Sequence, residues 1–189
     1  MRLMKLKGIF IVLGVFFVQG VYAQKYKAKD GKVKFLSEEV LENIEAKSNK
    51  LIGALDTNSQ KVAFLVRIKS FEFKLDKMKE HFNEDYMESS DFPKATFSGK
   101  INEDIDYSID STYEVSVTGG LNIHGVKKER TIKGTLQVKG GVLILSSSFN
   151  IKLADHDIKV PKLMFQKIAE VVGVKMSMTM KEVVSTKKD

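Results

Sequence analysis

The chain has 189 residues, 43% of them apolar and 29% charged, with a formal charge of +7, two prolines and no cysteine or tryptophan. That length suits a leader plus one domain, and the lack of cysteine excludes disulfides and a lipid-modified cysteine anchor. Lysines and glutamates are interspersed, so the concentrated basic stripe with interleaved aromatics that nucleic-acid binding needs is missing; the residual positive charge serves solubility and peripheral attraction to anionic lipid head groups.

Arg2, Lys5 and Lys7 form a basic start without an acidic residue, Gly8 to Val18 is an apolar run, and Val21-Tyr22-Ala23 provides short residues at a cleavage point. This pattern reads as a signal peptide over residues 1–23, cut before Gln24. A membrane anchor is the rival, but the run is about half of the roughly 20 residues a spanning helix needs. Residues 24–189 are then expected as one exported domain, periplasmic or secreted.

Val33 and Phe35 alternate with Lys32 and Lys34, a short first strand, and Ile44, Ala46 and Ser48 alternate with Glu45 and Lys47, a second. Ser37 to Glu42 between them reads as a short helix capped by Ser37. Gly53 to Gln60 reads as a polar turn. Val62, Phe64, Val66 and Ile68 then share one face, and the phase slips to Phe71 and Phe73, which predicts a bulge near Lys69 and Ser70. Leu75, Met78, Phe82 and Met87 are spaced for a short amphipathic helix. Ser89, Ser90, Asp91 and Pro93 stop it, and from Ala95 to Ile101 the pattern alternates strictly.

Tyr113, Val115 and Val117 begin another strand, with a bend or bulge expected at Gly119-Gly120, and Leu121 and Ile123 keep its phase to a turn at Gly125. Ile132, Leu136 and Val138 alternate up to a hairpin turn at Gly140-Gly141. Leu143, Leu145, Phe149, Ile151 and Leu153 form the next inward set. Pro161 to Lys167 reads as a short helix, and Val172, Val174, Met176, Met178 and Met180 line one face of the last strand.

About eight strands joined mostly by short turns make an all-β antiparallel meander, and a closed barrel removes its edges. One or two short helices accompany it. An outer-membrane barrel is excluded by polarity. Nearly every strand carries Lys, Glu or Ser on one face, and a lysine facing lipid costs about 2–4 kcal/mol near the midplane. The apolar face therefore points inward. A barrel of this size either fills itself with side chains or holds one small ligand. Small inward residues (Ala46, Ala63 or Ala95, Gly99, Gly134) and three unbranched methionines on the last strand suit a cavity for an irregular apolar ligand, although on the residues alone plain core packing is the commoner reason for such methionines.

The chemical readings are weaker. His81, His124 and His156 match no metal-ligand spacing, and His156, between Asp155 and Asp157, reads as a solvated turn residue. His124, before Gly125, reads as a structural residue with its ring bonded to backbone. No nucleophile elbow frames Ser146-Ser147-Ser148, and Glu84-Asp85 and Asp104-Asp106 read as surface charge. Neither an enzyme nor a cofactor is expected.

The run HFNEDYMESSDFPKATFSGKI, His81 to Ile101, together with LNIHGV, Leu121 to Val126, resembles the YceI-like family. The matching pieces are His81-Phe82, Tyr86, Ser89, Asp91-Phe92-Pro93, the alternating strand to Ile101 and the Leu121–Val126 strand end. The likeness covers most of the chain after the leader and is firmest from about His81 to Leu153. It implies a lipocalin-like barrel that binds a polyisoprenoid lipid, with the prenyl chain along the barrel axis. The positions it nominates inside are Phe64, Val66, Phe97, Val115, Val117, Ile132, Leu136, Leu145, Phe149, Met176 and Met178, with Phe82, Tyr86 and Phe92 at the mouth. The implied partner is an isoprenoid or other long apolar lipid. A side-chain-filled barrel that presents its helix and the Asp155–Pro161 loop to an envelope protein is the alternative, and a continuous apolar tunnel is what would separate the two.

Overall fold

The computed structural model describes residues 24–38, 43–159 and 168–183. The leader, residues 39–42 of the Ser37–Glu42 stretch and the Pro161–Lys167 stretch lie outside the described residues. The strands are β1 Lys25–Ser37, β2 Ile44–Asp56, β3 Lys61–Arg67, β4 Glu72–Phe73, β5 Lys94–Ile101, β6 Ser111–Ile123, β7 Val126–Lys139, β8 Val142–Lys152 and β9 Val171–Glu182, with one helix, α1 Asp76–His81. The sheet runs β1-β9-β8-β7-β6-β5-β3-β2, every pairing is antiparallel, and β2 pairs back with β1. Eight long strands thus close on themselves, and β4 is a two-residue addition on β2.

Closure follows from the side-chain period of two. Val115, Val117, Leu121 and Ile123 of β6 are buried, whereas Glu114 just before them and Thr118 between Val117 and Leu121 are exposed. The same alternation on the other strands puts one apolar face inside, where a single core forms.

The observed strands differ from the sequence reading at three places. β1 begins at Lys25 and β2 runs to Asp56, so Gly53 to Asp56 is strand, and the turn to β3 is only Thr57–Gln60. Both strands change phase: the β1–β2 register shifts between Ala28 and Gly31 and again between Gly31 and Val33. Those shifts interrupt the alternation that marks a strand in sequence. Gly119 and Gly120 make no bulge, because the β6–β7 ladder runs unbroken from Ser111–Val138 to Ile123–Val126. Gly119 lies opposite Gly99, and a Cβ on Gly119 would run into the Ser98 carbonyl. Glycine is there for the close approach of β5 and β6. At Lys69-Ser70 the chain makes a 3-10 turn, Ile68–Ser70, rather than an in-strand bulge.

The turns use the residues their geometry demands. Gly140 and Gly141 have φ of 56° and 78°, and His124 and Gly125 have φ of 52° and 77°. Two successive positive φ values are the I′ hairpin geometry whose twist matches the strands. α1 continues into one wider turn, Phe82–Tyr86, in which the Met87 N–H donates to the Phe82 carbonyl at 2.9 Å. The Ile68 N–H, donating to the Pro93 carbonyl at 3.0 Å, pins the proline turn against the end of β3. Leu75 precedes α1 and stays 49% exposed, so it does not join that helix's apolar face.

Candidate functional site: an apolar cavity under an aromatic lid

A cavity of about 190 Å³ lies at the end of the barrel that α1 crosses. Strand residues such as Val33, Leu51, Phe64, Phe97, Leu121 and Met176 form its walls, and Met78, Phe82, Tyr86 and Met87 come from the α1 segment above. Several inward side chains are only half-buried, among them Phe64, Phe149 and Met176. A side chain that points inward yet keeps free surface faces open space.

The lid is held by rings. Phe82, just after α1, lies 5.4 Å from Phe35, 5.7 Å from Phe71 and 5.0 Å from Phe73, measured between ring centroids. Such tilted, edge and offset contacts are favourable beyond their buried area. Phe82 therefore ties α1 to β1 and to the segment leading into β4. Below, Phe64 and Phe97 stack across the β3–β5 ladder at 6.4 Å.

Polar groups on the lining are few: Ser37, Thr96, His81 and Tyr86. The Ser37 hydroxyl accepts the Ala169 N–H at 2.8 Å, and His81 Nδ1 pairs with Asp85 one helical turn on. Burial, and then the neighbouring Asp85 carboxylate, push the Tyr86 phenol upward, so it stays a neutral donor. Among the described residues, no lysine, arginine, aspartate or glutamate contributes to the lining. The site can therefore take an uncharged apolar body, with polar contacts only near the lid.

On one side the rim is fastened at His124. Its Nε2 lies 2.7 Å from a Glu88 carboxylate oxygen, its Nδ1 lies 3.2 Å from the His156 carbonyl, and the Phe92 ring packs on it at 4.3 Å. His156 is 1% exposed, and its Nδ1 donates to the Val126 carbonyl at 3.0 Å. The solvated-turn reading of His156 is therefore corrected: its ring is the buried link between the β6–β7 turn and the segment after β8. The adjacent Asp155 and Asp157, which suggested solvent, are indeed exposed, but the 3-10 turn Leu153–His156 rotates the ring inward.

Seven of the nominated residues meet at this cavity: Phe64, Val66, Phe82, Tyr86, Phe97, Phe149 and Met176. The others do not. Val115, Val117, Leu136, Leu145 and Met178 are buried in the packed half of the barrel below, and Ile132, paired with Val117, packs against the same core. Phe92 sits outside on His124 and Gly125. The apolar space thus occupies one end of the barrel and does not run its length. Alternation reveals which face a residue takes but not its depth. Phe35, Phe71 and Phe73 line the cavity and were not nominated, although the slip of phase before Phe71 was the signal that the chain leaves the wall there.

A YceI-like domain model matches residues 25–180. The chain belongs to the YceI-like domain family. Among solved structures, this YceI-like chain resembles a polyisoprenoid-binding domain from Saccharophagus degradans implicated in plant cell wall breakdown, at a TM-score of 0.72 and 16% identity, covering 85% of this chain and 99% of that one. It also resembles BcnA of Burkholderia cenocepacia, at a TM-score of 0.66 and 19% identity over 79% of this chain and 95% of the other. A Campylobacter jejuni YceI protein matches at a TM-score of 0.55 and 16% identity over 78% and 90%. At these identities the structural likeness speaks for the fold. No curated protein matches the sequence.

Proposed function

We propose that this YceI-like protein is an exported, non-enzymatic carrier that holds the apolar chain of a polyisoprenoid or isoprenoid quinone in the lid-end cavity. The observation that carries the reading is the cavity itself: its walls are mainly aliphatic and aromatic, and among the described residues no carboxylate, lysine or arginine lines it. The polyisoprenoid-binding neighbour supports the choice of ligand class. Burial of a prenyl chain contributes about 25 cal/mol per Å², so affinity comes from the walls, while His81 and Tyr86 face the head. The binding character of the polyisoprenoid-binding neighbour supports a binding role rather than a catalytic one.

Native mass spectrometry with lipid extraction tests the reading. The purified protein should carry an apolar lipid or take up prenyl alcohols and quinones. Leu121→Trp, which fills the cavity from β6, should abolish retention while the circular dichroism of the barrel persists. Lipid-free recovery with no uptake would sink the proposal and leave the filled-barrel scaffold as the better account.

A further inference from the structure

Met178 lies at the boundary between the open and the packed halves of the barrel, opposite its ladder partner Leu145. It is the inward residue of β9 between Met176, which lines the cavity, and Met180, which is 1% exposed in the core. Its side chain crosses to β1 and β2, where two buried glycines receive it. A Cβ on Gly31 would lie 2.9 Å from Met178 Cε and 3.0 Å from Met178 Cβ. A Cβ on Gly53 would collide with the Met178 sulfur and lie 3.2 Å from Cδ1 of Phe64, a cavity wall. Beyond Met178 come Met180 and its ladder partner Leu143, both nearly inaccessible.

We infer that Met178 is the floor of the lipid cavity and sets the longest chain the barrel accepts. The inference rests on the lipid reading above. Methionine is unbranched and flexible, so the two glycines are what let it lie flat against β1 and β2. Neither has a φ in the left-handed region, so their absent side chains provide room rather than conformational freedom. An added methyl at Gly53 meets the far end of a movable side chain and turns it upward into the cavity. Removing the thioether does the opposite and joins the cavity to the hollow beside Gly31 and Gly53.

The test loads the protein, purified after expression of the full chain, with a ladder of prenyl alcohols that differ by one isoprene unit. Native mass spectrometry reads the longest chain retained. In M178A the cut-off should move up by roughly one unit, since three heavy atoms are vacated. In G53A it should move down, and the double variant G53A/M178A should recover the longer limit. Far-UV circular dichroism checks folding, and if M178A does not fold, G53A alone decides. Prenyl alcohols bound with an unchanged cut-off in the folded variants would overturn the floor assignment while leaving the lipid site intact. If even the parent protein binds no member of the ladder, the lipid reading itself has failed, and the floor with it.

Discussion

Among the described residues, Tyr107 is the side chain whose acid–base chemistry the fold alters most. It lies in the β5–β6 loop, packs against the core, and its hydroxyl has no hydrogen-bond partner among the described residues. Burial, and then the neighbouring Tyr26, push its phenol up to about 12. Unfolded tyrosine titrates near ~10. The folded state therefore holds this proton more tightly. Its contribution to stability is fully present below about pH 10 and is lost as the pH rises through about 12. Tyr107→Phe removes that loss and an unpaired buried hydroxyl together. Thermal melts should show the variant at least as stable at pH 7, by up to about 1–3 kcal/mol, and flatter between pH 10 and 12. A melting temperature that falls in the variant at both pH values would show that the hydroxyl is held by a partner. His124 shows the complementary case. From sequence it read as a structural residue with its ring bonded to backbone, and the ring does meet the His156 carbonyl, but the Glu88 carboxylate on its other nitrogen comes from a distant turn that no local pattern discloses.

At the scale of elements, two features carry testable weight. The lid depends on Phe82, the ring shared by three others. Phe82→Ala should cost about 2–4 kcal/mol in urea denaturation, towards the lower end for a half-buried ring, and should speed exchange of bound lipid as followed by stopped-flow transfer to vesicles. Unchanged exchange would mean that ligand enters by another route. The second feature is the Gly99–Gly119 crossing of β5 and β6. In Gly119→Ala the added methyl meets backbone, the Ser98 carbonyl and Gly99 Cα, and not a movable side chain. Destabilisation of about 1–3 kcal/mol is expected, with hydrogen exchange faster along the β5–β6 ladder. The contrast with Gly53, whose neighbour is the flexible end of Met178, is why G53A should fold normally. In sequence all of these glycines look alike. The strand reading takes Gly53 as part of a turn, Gly119 as a bend or bulge and Gly99 as a small inward residue, because what a glycine makes room for comes from a strand distant in sequence.

For the whole molecule, the sequence by itself determined the fold class. Alternating apolar residues, charged partners between them and Gly-Gly turns leave a water-facing outer wall and an apolar interior, and eight such strands bury their edges only by closing. The segment from His81 to Ile101, with the Leu121–Val126 strand end, was enough to indicate the family. Which apolar residues share a cavity was not legible. Val117 and Leu121 lie on one face of one strand, yet one is packed below and the other lines the opening. A period of two reports the side of the wall and nothing about height along the barrel axis. Height is decided by strand tilt, by the register shifts of β1 and β2, and by what crosses the interior. That the helix covers one end was readable from its amphipathic spacing before the proline stop; only the tertiary structure could decide that the other end is filled and that Met178 lies between the two.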